Sequence, residues 1–318
     1  MKVLITGGAG FIGSEMVRQL ADTSHDVYVL DALTYAGNFA AIEPFLKSDK
    51  FAQIDIRKPS VVSNFFAQNQ FDSVVNFAAE THVDNSIQNP GIFLETNLIG
   101  TFNLLEAARK HKFRFLQIST DEVYGSIGEG EFSEEDKLDP SSPYSASKAA
   151  AELLLQSYIK TYSVNALGVR CSNNYGRFQN SEKFIPTLIR KMNNGENLPI
   201  YGTGKNVREW IHVSDSVQGI LKVLSDGETG EFYNISSGEF LENLDVARKV
   251  IQFFGGDDGC IQFVEDRLGH DFRYAIDSTK IREELGWKPL VTFETGLIET
   301  IKWYIENPEY LGESARPL

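Results

Sequence analysis

Lys2-Val3-Leu4-Ile5-Thr6-Gly7-Gly8-Ala9-Gly10-Phe11-Ile12-Gly13 is the stretch on which the fold turns. An apolar run of strand length leads into a glycine-rich turn, and the turn leads into a helical pattern. Glycines at 7, 10 and 13 let the backbone turn tightly and approach a pyrophosphate. The helix behind them offers unpaired N–H groups and its positive dipole end. A glycine-rich turn alone also reads as an ordinary tight turn, so its context has to decide.

Outward from this stretch, apolar runs predict strands at residues 2–6, 26–30, 51–53, 73–77, 114–119 and 165–170. Helical patterns fall between them at 13–21, 59–68, 91–110 and 145–162. Strands and helices alternating at this spacing predict an α/β fold, a doubly wound parallel-sheet Rossmann domain. After residue 170 the rhythm breaks. Turn-rich SNNYG (172–176) and YGTGKN (201–206) surround a helix near 186–194. A strand at 231–235 returns to the sheet, and helices near 244–254 and 295–306 belong to a smaller lobe. The expected division is interleaved: 1–172 plus about 208–236 for the Rossmann domain, about 173–207 plus 237–318 for a substrate lobe.

The 318 residues are 42% apolar and 23% charged, an ordinary globular mixture. No apolar run is long enough to span a bilayer, and the N-terminus reads as a strand rather than a leader. Cys171 and Cys260 have neither metal-ligand nor CxxC spacing, so the expectation is two reduced thiols, no metal and a cytoplasmic protein. A net charge of −14 argues against nucleic-acid binding. An anionic ligand would then need a local basic pocket. Arg170, Arg177, Lys183, Arg190, Lys191, Lys205, Arg208, Arg267 and Arg273 are available in the second half, with Arg208 and Lys183 the leading candidates.

Asp31 ends the second strand at the spacing expected for an acid on an adenosine ribose. A carboxylate there accepts bonds from both ribose hydroxyls and repels a 2′-phosphate, so NAD is favoured over NADP. Asp55-Ile56 would flank the adenine, and Phe77-Ala78-Ala79 supply small residues where the cofactor crosses the sheet. Tyr144 and Lys148, at i and i+4, share one helix face. An ammonium beside a phenol stabilises the phenolate, so Tyr144 is expected to have a lowered pKa and to act as base toward an alcohol. Thr120-Asp121-Glu122 follows the fifth strand, at the sheet edge where ligands bind. Two adjacent carboxyls there can split into one acid and one base. Spacing equally allows a helix N-cap, with Asp121 capping and Glu122 near the dipole.

Together these residues resemble the extended short-chain dehydrogenase/reductase superfamily, and more finely the dTDP-glucose 4,6-dehydratase family. The similar stretches are GGAGFIGS, DALTYAGN, FAAETHVDNSI, ETNLIGT, STDEVYGS, SPYSASKAA, RCSNNYG, EKFIP, PIYGTGKNVREWIHV, LGHDFRYAID and ELGWKP, from residue 7 to about 289. The resemblance implies that Tyr144, assisted by Lys148 and Thr120, takes the proton of a sugar 4-hydroxyl. Glu122 would then remove the C5 proton and Asp121 protonate the departing 6-hydroxyl. It implies Phe11, Ile12, Leu33, Thr34, Thr96 and Asn174 as further cofactor neighbours. Thr81, Asn173, Lys183, Phe184, Pro199, Tyr201, Arg208, Asn243 and His270 would contact a nucleoside diphosphate hexose. It also implies a homodimer through a four-helix contact of 91–110 and 145–162. The chain departs from the family pattern at Asn85, where arginine is usual, at Phe184, where leucine is common, and in a short segment 126–143. A UDP-glucose 4,6-dehydratase, a C4 epimerase or decarboxylase of the same fold, and a catalytically silent NAD-binding regulator stay open on the sequence.

Overall fold

The structure, a computed structural model, describes residues 1–266 and 268–312. Arg267, among the basic residues above, and 313–318 lie outside the described residues. Six strands follow the sequence expectation to within a residue or so at their ends. They are β1 (Lys2–Thr6), β2 (Asp26–Asp31), β3 (Phe51–Gln53), β4 (Ser73–Asn76), β5 (Arg114–Thr120) and β6 (Ala166–Cys171). A seventh, Phe232–Ile235, returns beside β6. The order is β3-β2-β1-β4-β5-β6-seventh, and every pairing is parallel. This is the doubly wound order expected of a Rossmann domain.

The side-chain alternation of each strand feeds two cores, one on each face of the sheet. Val3 and Ile5 join Val29, Val75, Leu116, Leu167 and Val169 on one side. Leu4 joins Leu30, Val74, Phe115 and Ala166 on the other. Both faces are covered, which is why the strands read as continuous apolar runs rather than as alternating ones.

Helix Pro143–Tyr162 begins two residues before the expected 145. Pro143 occupies its first turn, and Ser142 caps it by accepting from the Ser145 N–H at 3.1 Å. The expected single helix 91–110 is interrupted. Pro90–Phe93 is α-helical, Leu94–Gly100 forms a π-helix, and Thr101–His111 resumes the α-helix. A π turn admits an extra residue, which an apolar period of 3.6 cannot reveal. Within it Asn97 is buried, and Gly100 lies so close to Ile56 that an added Cβ would meet the Ile56 side chain at 2.5 Å.

The second lobe has its own core, with Tyr175, Ile185, Leu188, Trp210, Val246, Leu297 and Tyr304 at its centre. Asn173–Tyr175 pairs parallel with Val207–His212, which pairs antiparallel with Phe240–Glu242. Leu198–Tyr201 pairs parallel with Ile261–Val264. Helices Phe184–Asn194, Asn243–Phe253 and Phe293–Glu306 cover this core. The chain crosses back at His212: the strand ending there belongs to the lobe, whereas helix Val213–Asp226 buries Val217, Ile220 and Val223 against the large sheet.

Arg170, counted above among the possible counter-charges for an anionic ligand, is otherwise engaged. It is 2% exposed and forks onto Glu152 at 3.0 and 2.8 Å, and it bonds the Tyr124 hydroxyl. Its guanidinium lies between the rings of Tyr124 and Phe232. The pair joins β6 to helix Pro143–Tyr162. Removing one member would strand a buried charge. Arg170→Ala should therefore lower unfolding free energy by about 3–5 kcal/mol in denaturant titration, and Arg170→Met/Glu152→Leu should recover most of it. A loss below about 1 kcal/mol in the single variant would show that the pair does not hold these elements together.

Candidate active site

The carboxyl ends of β1, β2, β4, β5 and β6 surround one cavity of about 300 Å³. Its first wall is the glycine turn. Gly7 has a φ of +67°, and a Cβ there would sit 2.5 Å from the Ala78 nitrogen. A Cβ on Gly13 would sit 2.4 Å from the Gly7 carbonyl oxygen. Only glycine fits either place, so the turn stays pressed between β4's following loop and its own helix. Gly10 caps helix Phe11–Ala21 with no side-chain hydrogen bond, which leaves the first-turn N–H groups to a ligand.

Asp31 is 7% exposed, and its carboxyl accepts from the Ala9 N–H at 2.9 Å and the Leu33 N–H at 2.8 Å. Burial raises its pKa against the pull of those two bonds. Arg57 forks onto Asp55 at 2.6 to 3.0 Å. Phe11, Ile12, Thr34, Asp55, Ile56, Phe77, Ala78, Ala79, Thr96 and Asn174 line the cavity with Gly7, Gly10, Gly13 and Asp31. Leu33 does not: its side chain packs against the sheet core, and what it offers this region is its backbone N–H on Asp31.

The opposite wall carries the titratable groups. Thr120 ends β5 and caps a single 3-10 turn, Asp121–Tyr124, accepting from the Glu122 N–H at 3.3 Å. The cap is thus Thr120 and not Asp121. The Thr120 hydroxyl also donates to Asp121 Oδ1 at 2.9 Å. Asp121 Oδ2 is buried without a partner. Burial, and then the charge of Glu122, push the Asp121 carboxyl up to about 8, so it keeps its proton at neutral pH. Tyr144 stands beside Thr120, and one turn on Lys148 donates to the Ile118 carbonyl at 2.6 Å. Burial lowers the Lys148 ammonium to about 8.

One expectation is reversed here. The ammonium was expected to lower the phenol's pKa. Instead burial, followed by the Glu122 charge, pushes the Tyr144 phenol above its ordinary value, while its hydrogen bond with Thr120 pulls it down. Desolvation of both groups outweighs their proximity, and the ammonium's short bond goes to a backbone carbonyl.

Of the residues expected to touch substrate, Thr81, Asn173 and Lys183 line the cavity. Lys183 Nζ donates to the Thr81 carbonyl at 2.9 Å, and Asn173 Oδ1 is buried without a partner. Phe184, Pro199, Tyr201, Arg208, Asn243 and His270 lie outside that lining, in the second lobe. Arg208 is 5% exposed, donates to the Val207 and Asp271 carbonyls, and stacks on Tyr274 at 4.2 Å. Its charge is felt at Asp121. The Tyr201 hydroxyl reaches Asp84 at 3.4 Å, and its ring meets His270, which bonds Asp266 at 2.6 Å. Phe184 stacks on Trp210, Pro199 pairs across from Gln262, and Asn243 opens its helix.

Sequence reasoning missed Arg57, Glu80, Cys171, Ser172 and Gln179, all of which line the cavity. Glu80 and Ser172 follow β4 and β6, so their position at carboxyl strand ends was a usable signal. Ser172 Oγ is buried without a partner. Arg57 carries no motif.

A doubly wound sheet with a glycine turn, an acid at the end of β2 and a Tyr-x-x-x-Lys helix defines a nucleotide-binding enzyme of the short-chain dehydrogenase/reductase type. The family model described as GDP-mannose 4,6 dehydratase matches residues 4–300, and the chain belongs to that family. The low-salt glycan biosynthesis protein Agl12 of Haloferax volcanii is 50% identical, over 97% of this chain and 100% of that one. A dTDP-glucose 4,6-dehydratase of Streptomyces niveus is 45% identical, over 96% and 94%. The crystal structure of DesIV, a dTDP-glucose 4,6-dehydratase from Streptomyces venezuelae with NAD bound, superposes with a TM-score of 0.94 at 42% identity, covering 99% of this chain and 100% of that one.

Proposed function

We propose that this protein is an NAD-dependent nucleotide-sugar 4,6-dehydratase that converts dTDP-glucose to dTDP-4-keto-6-deoxyglucose for deoxysugar synthesis. The observation that carries the reading is the buried Asp121, pushed up to about 8, in one cavity with Glu122, Tyr144, Lys148 and the glycine turn. An oxidoreductase or epimerase working through Tyr144 alone has no use for such an acid. The dTDP-glucose 4,6-dehydratases among its relatives support the choice of sugar nucleotide.

The residues present fit a dinucleotide. The glycine cradle admits no Cβ, the helix N-terminus behind it is uncapped, and Asp31 stands where a ribose would lie. When bound, NAD supplies a two-electron acceptor that takes a hydride from C4 and returns it at C6, so no net NADH accumulates. Tyr144 takes the 4-hydroxyl proton. Against the burial that raises the phenol, the Thr120 hydrogen bond favours the phenolate once Thr120 turns its one hydroxyl proton from Asp121 to Tyr144 and accepts in turn from the protonated Asp121. Lys148 adds positive charge one turn away. The new C4 ketone acidifies the C5 proton. Glu122 removes that proton while Asp121 gives its own to the departing 6-hydroxyl, and one water leaves across C5–C6. A proton then returns to C5.

The seven-stranded sheet holds the cofactor, and residues 173–212 with 237–312 hold most of the sugar nucleotide. The strand Val207–His212, expected from 208 on to belong to the Rossmann domain, pairs within the smaller lobe instead. Arg208 supplies the buried counter-charge that a diphosphate needs in a chain of net charge −14. Lys183 and Tyr201 frame the base. A homodimer is supported by Leu94, Ile99, Phe102 and Leu153, exposed on the neighbouring helical segments 90–111 and 143–162. Sedimentation should give twice the 35.6 kDa chain mass, and Leu153→Asp/Phe102→Asp should give monomer; a monomeric wild type would remove the four-helix contact.

Incubation with dTDP-glucose should give a 4-keto product with alkali-induced absorbance and no free NADH. A mixture of hexoses with no 6-deoxy sugar would make the protein an epimerase instead. Glu122→Gln should still oxidise C4 but lose exchange of the C5 proton with solvent. Normal exchange in that variant would clear Glu122 of the base role.

The pH profile follows from the raised carboxyl. Below about 8 Asp121 holds the proton it must donate, and as pH rises through about 8 that proton is lost while Lys148 loses its charge. Turnover should therefore fall on the alkaline side of about 8, a limb that belongs to both groups together. Asp121→Asn should cost on the order of 10²–10⁴ in kcat. A rate that stays level to well above pH 8 would contradict the assignment of Asp121 as acid.

A further inference from the structure

The crevice at the end of β1 is bridged by a contact that the proposed chemistry does not use. The loop after β2 is pinned at both ends: the Leu33 N–H bonds Asp31, and the Asn38 N–H bonds the Ala9 carbonyl at 2.8 Å. Between these anchors the Gly37 N–H turns back onto the Thr34 carbonyl at 3.0 Å, which puts Tyr35 in the turn. Glu80 follows β4, and Asn97 grips its backbone. The Glu80 N–H donates to Asn97 Oδ1 at 2.8 Å, and Asn97 Nδ2 donates to the Glu80 carbonyl at 3.0 Å. The same Asn97 amide reaches Ser147 Oγ at 2.8 Å, in the helix that carries Tyr144 and Lys148.

Across the gap the Tyr35 hydroxyl donates to Glu80 Oε2 at 3.2 Å. The sheet order places β2 and β4 on opposite sides of β1. A bond from one loop to the other therefore passes over the end of β1 and the glycine turn beyond it. Thr34, Ala36 and Gly37 from one loop and Glu80 from the other all line the cavity below. Partial burial of the half-exposed Tyr35, together with the charges of Glu80 and Glu182, holds its phenol above its ordinary pKa, so it remains a donor.

We propose that Tyr35 and Glu80 form a strap across the dinucleotide crevice that slows cofactor exit. The inference rests on the NAD reading above. In that reaction the electrons removed at C4 are needed again at C6, so a cofactor that leaves between the two steps strands a half-converted sugar. A hydrogen bond to a carboxylate gains from the acceptor's charge, although at 3.2 Å this one is longer than the strongest of its kind. Glu80 gives the strap a fixed post, because Asn97 ties its backbone to the catalytic helix. Tyr35 lies in the turn of the anchored loop and provides the part that opens. Both are positioning residues; neither needs to touch the reacting sugar.

The test is a chase: holoenzyme carrying labelled NAD is diluted into excess unlabelled NAD, and the rate of label loss is measured. Tyr35→Phe removes only the hydroxyl and should speed loss by about tenfold, the worth of one such bond. Glu80→Ala should match it, and Tyr35→Phe/Glu80→Ala should be no faster than either single variant. Glu80→Gln keeps an acceptor oxygen and should fall between Glu80→Ala and wild type. During turnover of dTDP-glucose, Tyr35→Phe should release NADH that lactate dehydrogenase and pyruvate can trap in solution. Wild-type loss rates in both single variants, or additive effects in the double variant, would overturn the strap while leaving the dehydratase intact. A wild-type protein that holds no NAD would overturn the cofactor assignment and the strap with it.

Discussion

No side chain fits between the turn after β1 and the backbone after β4. Gly7 lies against Phe77–Ala78, Gly13 lies against Gly7, and in each case an added Cβ would come within 2.5 Å of a backbone atom. That contact sets how close the first helix comes to the sheet, and so where its uncapped N-terminus points. Asp31 extends the arrangement by bonding the turn at Ala9 and its own loop at Leu33. The turn, the helix end and the β2 loop are thus tied into one unit by the chain's own contacts. Preorganisation of this kind is what lets a cleft bind a dinucleotide without the cost of ordering loops.

The opposite wall works by dehydration. Asp121, Tyr144 and Lys148 are all nearly buried, and burial is the first cause of each shift. It moves acids up and the ammonium down, so the Asp121 carboxyl and the Lys148 ammonium both come to about 8, while the Tyr144 phenol is carried further above them. Glu122 then separates the two adjacent carboxyls: its charge acts on Asp121 and keeps the proton there. The two neighbouring carboxyls differ because one faces the dry interior and the other stands at its half-buried edge, and the proposed acid and base roles rest on that difference.

What the chain reveals in advance follows from how local each cause is. The six strands and the glycine turn were legible because a strand covered on both faces must be apolar throughout, and because a close approach leaves glycine no substitute. Asp31, Tyr144 and Lys148 were legible as spacings on a strand end and a helix face. The short strands Asn173–Tyr175 and Phe240–Glu242 were not, since three residues carry no alternation and their partners are distant in sequence. The π turn at Leu94–Gly100 was hidden because a widened turn leaves no mark on the apolar period, and the contact made within it, the Asn97 amide reaching back to Glu80, is tertiary. Arg170 read as a loose cation only because Glu152, its partner, lies on a different element. The direction of the Tyr144 shift was misjudged for a related reason: spacing gives the ammonium's nearness but not the depth of burial or the carbonyl of Ile118 that accepts its hydrogen bond.

Interleaving the two lobes has a mechanical consequence. The chain leaves the large sheet after β6, builds Asn173–Tyr175 at once, and returns through Val207–His212 to helix Val213–Asp226. Residues 171–174 line the cavity at the end of β6, and Asn173 and Asn174 are also the strand that pairs with Trp210 and Ile211. Arg208 sits two residues before Trp210 on that same strand. A displacement of the substrate lobe therefore moves its main buried cation and the floor of the cavity together. Two separately linked domains could hinge freely between these groups. Here the shared strand makes the lobe's position part of the geometry around Asp121, so Arg208 in the lobe and Asp121 on the sheet are kept in one register.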